Sequence, residues 1–127
     1  MAGHSGGLRG RRILVVEDNL LLADETCDIL RVTGCEILGP AASLNKALSL
    51  ARQHALHGSV LDVDLAGRYC FELAELLRAR GVPFFFLTGY DNVAAIPQPL
   101  ADVPRLTKPV IASALVATAL RLFAATS

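Results

Sequence analysis

Four acids, a threonine and a lysine carry the chemistry open to this chain: Glu17, Asp18, Asp62, Asp64, Thr88 and Lys108. Glu17-Asp18 follow the apolar run Ile13-Leu14-Val15-Val16, and Asp62 closes Gly58–Asp62. Thr88 follows Val82–Leu87, and Lys108 comes just after Arg105–Leu106. Unit charges about 4 Å apart repel by roughly 1 kcal/mol in water and about 4 kcal/mol at an effective dielectric of 20. Clustered carboxylates therefore need a counter-ion. A hard divalent cation such as Mg²⁺ fits, since it takes one or two carboxylates plus water and phosphate oxygens. Lys108 adds a positive charge on a flexible stem. Phosphoryl transfer needs mainly an in-line nucleophile and charge neutralisation on the equatorial oxygens. In this reading Asp62 attacks, being already ionised at neutral pH. Asp18 binds Mg²⁺ directly, Glu17 binds it through water, and the Asp64 backbone carbonyl completes the coordination. Thr88 and Lys108 hold oxygens of the acyl phosphate. Taken singly, Asp18 could cap a helix, Thr88 could be a turn hydroxyl and Lys108 a surface lysine. Their joint placement at the ends of apolar runs is what speaks for a site.

The elements that must position these residues follow from the apolar pattern. Ile13–Val16 is a continuous β-branched run, the mark of a strand buried on both faces. A helix runs from after Asn19 to about Val32, with Leu20, Ala23, Cys27 and Leu30 as its core stripe and Gly34 as its stop. A short strand is expected at Glu36–Gly39, then Ser43 as N-cap of a helix over Leu44–Gln53. Gly58–Asp62 is the third strand, Tyr69–Arg80 the next helix and Val82–Leu87 the fourth strand, with Pro83 tolerated at its start. The prolines Pro97, Pro99 and Pro104 leave Gly89–Val103 room for only a short helix. Arg105–Leu106 is the fifth strand and Val110–Phe123 the last helix. Strand and helix alternate about five times, which predicts an α/β fold with a parallel sheet between two helical layers. In open sheets of this kind ligands bind at the carboxyl ends of the strands, where the residues above collect.

The bulk numbers agree with one such domain. The 127 residues are 53% hydrophobic and 19% charged, with a formal net charge of 0. That balance excludes a disordered chain and gives no bulk attraction to nucleic acid or acidic lipid. Cys27, Cys35 and Cys70 have no metal-ligand spacing and read as reduced, small hydrophobes. The first ten residues are glycine-rich and polar, expected as a flexible tail (1–10) before the domain at 11–127. With neither a signal-peptide run nor a membrane span, the expected location is cytoplasmic.

With these pieces in place, the chain resembles the receiver domain of two-component response regulators. The resemblance runs from Ile13 to about Phe123 and rests on ILVVEDN, SVLDVDLAG, FFFLTGY and LTKPV in that order. It implies a flavodoxin-like (βα)5 fold with strand order 2-1-3-4-5. It further implies Asp62 as phosphoacceptor, Glu17 and Asp18 as the acidic pair, Thr88 as the switch hydroxyl and Lys108 before a cis bond to Pro109. FLTGY is similar to the motif of a single-domain subgroup with Phe-Ala-Thr-Gly-Tyr, Leu87 replacing the alanine. That subgroup commonly works with histidine kinases. The sequence departs from many receivers at Arg105, where an aromatic switch residue usually stands, and at Ala66, where proline is frequent. Tyr90, two residues after Thr88, is the candidate to take over part of the aromatic's role.

The resemblance implies a histidine kinase or histidine phosphotransfer protein as phosphodonor, docking near Leu20-Leu21-Leu22, and a downstream protein target. Neither an enzyme, beyond assisting its own phosphorylation and dephosphorylation, nor a direct nucleic-acid or membrane binder is expected. The last helix is apolar over much of its circumference, with Ile111, Leu115 and Leu122 on one stripe and Val116, Leu120 and Phe123 beside it. It is expected to pack on a partner or on a second copy, forming a homodimer. Rival readings remain. Asp62-Val63-Asp64 matches the Asp-x-Asp of haloacid-dehalogenase-type phosphatases, although that motif usually follows a first strand. A flavin module would need a Ser/Thr/Gly loop where Glu17-Asp18-Asn19 stands. A receiver-like adaptor acting without phosphorylation is the third alternative.

Overall fold

A computed structural model describes residues 7–125. In chain order the elements are β1 (Arg12–Val16), α1 (Leu20–Arg31), β2 (Glu36–Ala41), α2 (Leu44–Gln53), β3 (Gly58–Asp62), β4 (Asp64–Leu65), β5 (Arg68–Tyr69), α3 (Phe71–Ala79), β6 (Phe84–Thr88), β7 (Arg105–Thr107) and α4 (Ala112–Phe123). Two 3-10 turns, Tyr90–Ala95 and Gln98–Leu100, lie between β6 and β7. The five long strands form one parallel sheet in the order β2-β1-β3-β6-β7. Setting the small β4–β5 hairpin aside, this is the expected 2-1-3-4-5 flavodoxin-like order.

Alternate residues of the central strands feed two separate cores, as a strand buried on both faces requires. Leu14, Val16, Leu61, Phe84 and Phe86 face α2 and α3, joining Leu48, Leu73 and Leu77. Ile13, Val15, Val60, Phe85 and Leu87 face α1 and α4, joining Cys27, Leu30, Leu115 and Phe123. Burying each such side chain contributes about 1.5–3 kcal/mol. Phe123 stacks on Phe85 with ring centroids 5.5 Å apart. Gly58 makes that possible, since a Cβ there would collide with the Phe123 ring.

Three details depart from the sequence expectation. The stretch after β3 holds an antiparallel hairpin, and α3 starts at Phe71. Ala66 and Gly67 at its tip have φ of 53° and 91°. Proline is locked near −65°, so this turn excludes the proline frequent at position 66. The fourth crossover contains no α-helix, only the two 3-10 turns, because its prolines remove the donors a longer helix needs. Leu20 is 72% exposed, leaving Ala23, Thr26, Cys27 and Leu30 to face the core. Of the expected tail, residues 1–6 lie outside the described residues. Leu8 is fully buried, and its N–H donates to the Thr33 carbonyl at 2.8 Å, so it belongs to the domain. All three cysteines are free and buried.

Candidate functional site

Parallel strands in register bring their carboxyl ends to one edge, and that edge gathers the candidate residues. Asp62 on β3 pairs with Leu87 on β6, one residue short of Thr88, and Thr88 pairs with Thr107 just before Lys108. Backbone bonds beyond the ladders hold the strand ends together: Glu17 N–H to Ala41 O at 3.0 Å, Val63 N–H to Leu87 O at 3.1 Å and Lys108 N–H to Thr88 O at 2.8 Å. Carboxylate oxygens of Glu17, Asp18 and Asp62 lie within 4.8 Å of one another. Lys108 Nζ reaches between them, 2.9 Å from Glu17 and 3.3 Å from Asp62. The Lys108–Pro109 bond is cis.

The cap of α1 explains why Asp18 is free to join. Asn19, rather than Asp18, is the N-cap, its Oδ1 accepting from Leu22 N–H at 3.1 Å. The Asn19 N–H also donates to Glu17 Oε2 at 3.2 Å, so both Glu17 oxygens are engaged, one by this amide and one by Lys108. Sequence reading missed this role, although an Asn one residue before a helix is an ordinary cap signal.

Asp62 is only 4% exposed. Burial first, then the hydrogen bond and charge of Glu17, push its carboxyl up to about 8, against the opposing pull of Lys108. Ionising Asp62 beside Glu17 is thus costly, and Lys108 offsets part of that cost. For Lys108, burial works against the charge, but Glu17 and Asp62 outweigh it and raise its pKa. Cys70 lies under the site, its thiol pushed up to about 12 by burial and by the charge of Asp62. Three carboxylates against one ammonium form a set short of positive charge. All of its donors are hard oxygens, and this fits a divalent cation such as Mg²⁺.

Asp64 stands apart. Its carboxylate accepts the Gly67 N–H at 2.8 Å across the hairpin tip and is not among the clustered acids. A general acid in the haloacid-dehalogenase manner would have to face Asp62 instead. Thr88 is fully buried, its hydroxyl donating to the Gly89 carbonyl at 3.0 Å. Arg105 is exposed on β7 beside the buried Phe86, and Tyr90 is 83% exposed.

Comparison with known proteins places this arrangement. SdrG from Sphingomonas melonis Fr1 has a solved structure that is 32% identical, covers 89% of this chain and 95% of its own, and superposes with a TM-score of 0.77. A CheY-like response regulator receiver domain from Methanospirillum hungatei is 26% identical, over 85% of this chain and 89% of its own, with a TM-score of 0.73. The chain belongs to the response regulator receiver family. The transcriptional regulatory protein PdtaR of Mycobacterium tuberculosis is 32% identical over 83 residues, which are 65% of this receiver and 40% of that protein. The receiver thus spans about 40% of the length of this curated relative. No protein-family model matches the chain. Among the described residues no helix is long and apolar enough to cross a membrane.

Proposed function

We propose that this receiver accepts a phosphoryl group on Asp62 from the phosphohistidine of a histidine kinase or phosphotransfer protein, and signals through the change that follows. The observation that carries this reading is the buried Asp62 carboxyl at a strand end, with two further acids within 4.8 Å and Lys108 Nζ at 3.3 Å. An Asp62 oxygen attacks phosphorus in line. The O–P bond forms as the P–N bond breaks, the bonding pair passing to the ring nitrogen, and the donor ring, protonated on its other nitrogen, leaves as neutral imidazole. Lys108 holds an oxygen of the transferred group, and the Thr88 hydroxyl turns from Gly89 to bind another. Glu17, Asp18, Asp62 and the Asp64 carbonyl are the groups that would hold Mg²⁺, which supplies charge neutralisation when bound.

A protein donor suits the rim of the site. Among the described residues, five of the six exposed large hydrophobics, Leu20, Leu21, Tyr69, Tyr90 and Ile111, lie in the segments that leave the carboxyl edge of the sheet. Apolar residues around an acidic centre fit a docking helical surface better than a small metabolite. Output goes to a downstream protein, and the outer face of α4, where Ala112, Ser113, Ala117 and Arg121 are exposed, is open for a second copy. The domain acts in the cytoplasm and, apart from assisting its own phosphorylation and dephosphorylation, is not an enzyme. The subgroup with the Phe-Ala-Thr-Gly-Tyr motif is the narrower assignment we favour.

The test is intact mass after incubation with acetyl phosphate, with Mg²⁺ or chelator, for wild type and Asp62→Asn. A Mg²⁺-dependent gain of one phosphoryl, absent from the variant, is expected. Turnover of a generic phosphomonoester without a stable adduct would favour the phosphatase reading instead.

A further inference from the structure

We propose that Arg78 on α3 clamps the far half of the crossover between β6 and β7, so that only residues 89–95 are free to respond to Thr88. This rests on the reading of Thr88 as the responding hydroxyl. The crossover divides into two unlike halves. Its near half, the turn Tyr90–Ala95, buries no residue and carries no side-chain cap. Among the described residues its backbone bonds stay within the segment, Asn92 N–H to Gly89 O and Ile96 N–H to Val93 O. Few buried contacts and exposed amides mark a part of low local stability.

The far half is anchored three ways. Leu100 and Val103 are buried, at 1% and 5% exposure, in the core shared with α3. The Pro104 carbonyl accepts Phe86 N–H at 3.0 Å, entering the ladder of β6. The Arg78 guanidinium donates to Pro99 O at 2.6 Å and to the Asp102 carboxylate at 3.1 and 3.4 Å. An exposed ion pair alone contributes little. The planar guanidinium, however, fixes two residues of one loop from a single helix position, and that geometry gives direction as well as energy. Arg78 lies at the opposite end of the sheet from Asp62, lining a recess of about 280 Å³ with Gly81, Pro83 and Asp102. It touches none of the phosphate-handling residues. It is a positioning residue that sets where the crossover stops moving.

Amide hydrogen exchange on the full chain tests this, with wild type, Arg78→Ala and the milder Asp102→Asn, and with the β6 amides as a fold control. Without phosphodonor, Arg78→Ala is expected to raise exchange across 97–104 about tenfold, Asp102→Asn less, with 89–95 within about twofold of wild type. Unchanged exchange at 97–104 in both variants would overturn the clamp. After acetyl phosphate, with occupancy read by mass, the wild-type change is expected to stay within 89–95 and in Arg78→Ala to spread to 104. A wild-type change of equal size at 97–104 would also overturn it. If mass shows no adduct, the phosphoacceptor reading fails, and the first comparison still decides the clamp.

Discussion

Replacing Asp62 by asparagine keeps the shape of the side chain and removes a carboxyl that the fold strains to ionise. Glu17 and Asp18 oxygens stand at most 4.8 Å from those of Asp62, and Lys108 Nζ stands 3.3 Å away. At an effective dielectric of 20 each repulsion is about 3.5 kcal/mol and the attraction about 5 kcal/mol. Net repulsion is then about 2 kcal/mol, and desolvation of the ionised group acts in the same direction. Because the folded pKa is raised to about 8, above the ordinary 3.8, the group's contribution to stability is fully present below about pH 4 and is lost as pH rises through about 8. Asp62→Asn is therefore expected to match wild type at about pH 4 and to exceed it by at least about 2 kcal/mol at about pH 9, a rise in Tm of at least roughly 5 °C. The assay is thermal and urea unfolding across that range in the presence of chelator. Millimolar Mg²⁺ should close most of the gap by stabilising wild type alone. An asparagine variant no more stable than wild type at high pH without metal would refute the reasoning, since the acid cluster would then carry no net repulsion.

Other outcomes follow from single residues. Lys108→Met leaves Glu17 and Asp62 without the ammonium between them and should destabilise the protein by about 1–3 kcal/mol in urea unfolding. Ala66 holds φ at 53°, so Ala66→Gly should stabilise by about 0.5–1 kcal/mol. Ala66→Pro should cost about 3 kcal/mol or more in the same assay. His57 Nδ1 accepts the Arg12 N–H at 2.8 Å, and burial, then Arg11 and Arg12, lower its pKa below 6.5. Its contribution is thus present above about pH 6.5 and lost as pH falls. His57→Gln should flatten Tm against pH on that acid limb, and an unchanged slope would count against the bond.

The strands and the site residues were legible because burial on both faces writes itself as short apolar runs, and a parallel sheet puts whatever follows each run at one edge. Glu17, Asp18, Asp62, Thr88 and Lys108 could be listed from that rule alone. What escaped the sequence depends on contacts far apart in the chain or on elements too short to have a period. The β4–β5 hairpin pairs only Asp64 with Tyr69 and Leu65 with Arg68, and two-residue strands show no alternation. The left-handed Ala66 carries no glycine signal. Leu20 fits the helical stripe by spacing, yet it precedes the point where α1 meets the sheet and points to solvent. The raised pKa of Asp62 comes from its burial beside Glu17, and the Arg78 clamp joins residues 21 and 24 positions apart. Neither leaves a local pattern to read.

Locating the phosphoryl group residue by residue tests the central claim most directly. After acetyl phosphate and Mg²⁺, borohydride reduction converts an aspartyl phosphate to homoserine, and peptide mass spectrometry then reads the converted position. The account predicts homoserine at position 62 and at no other acid of the cluster, with none when Mg²⁺ is withheld. Conversion at Asp18 or Asp64 with Asp62 intact, or a phosphoryl that resists reduction because it sits on a hydroxyl, would contradict it.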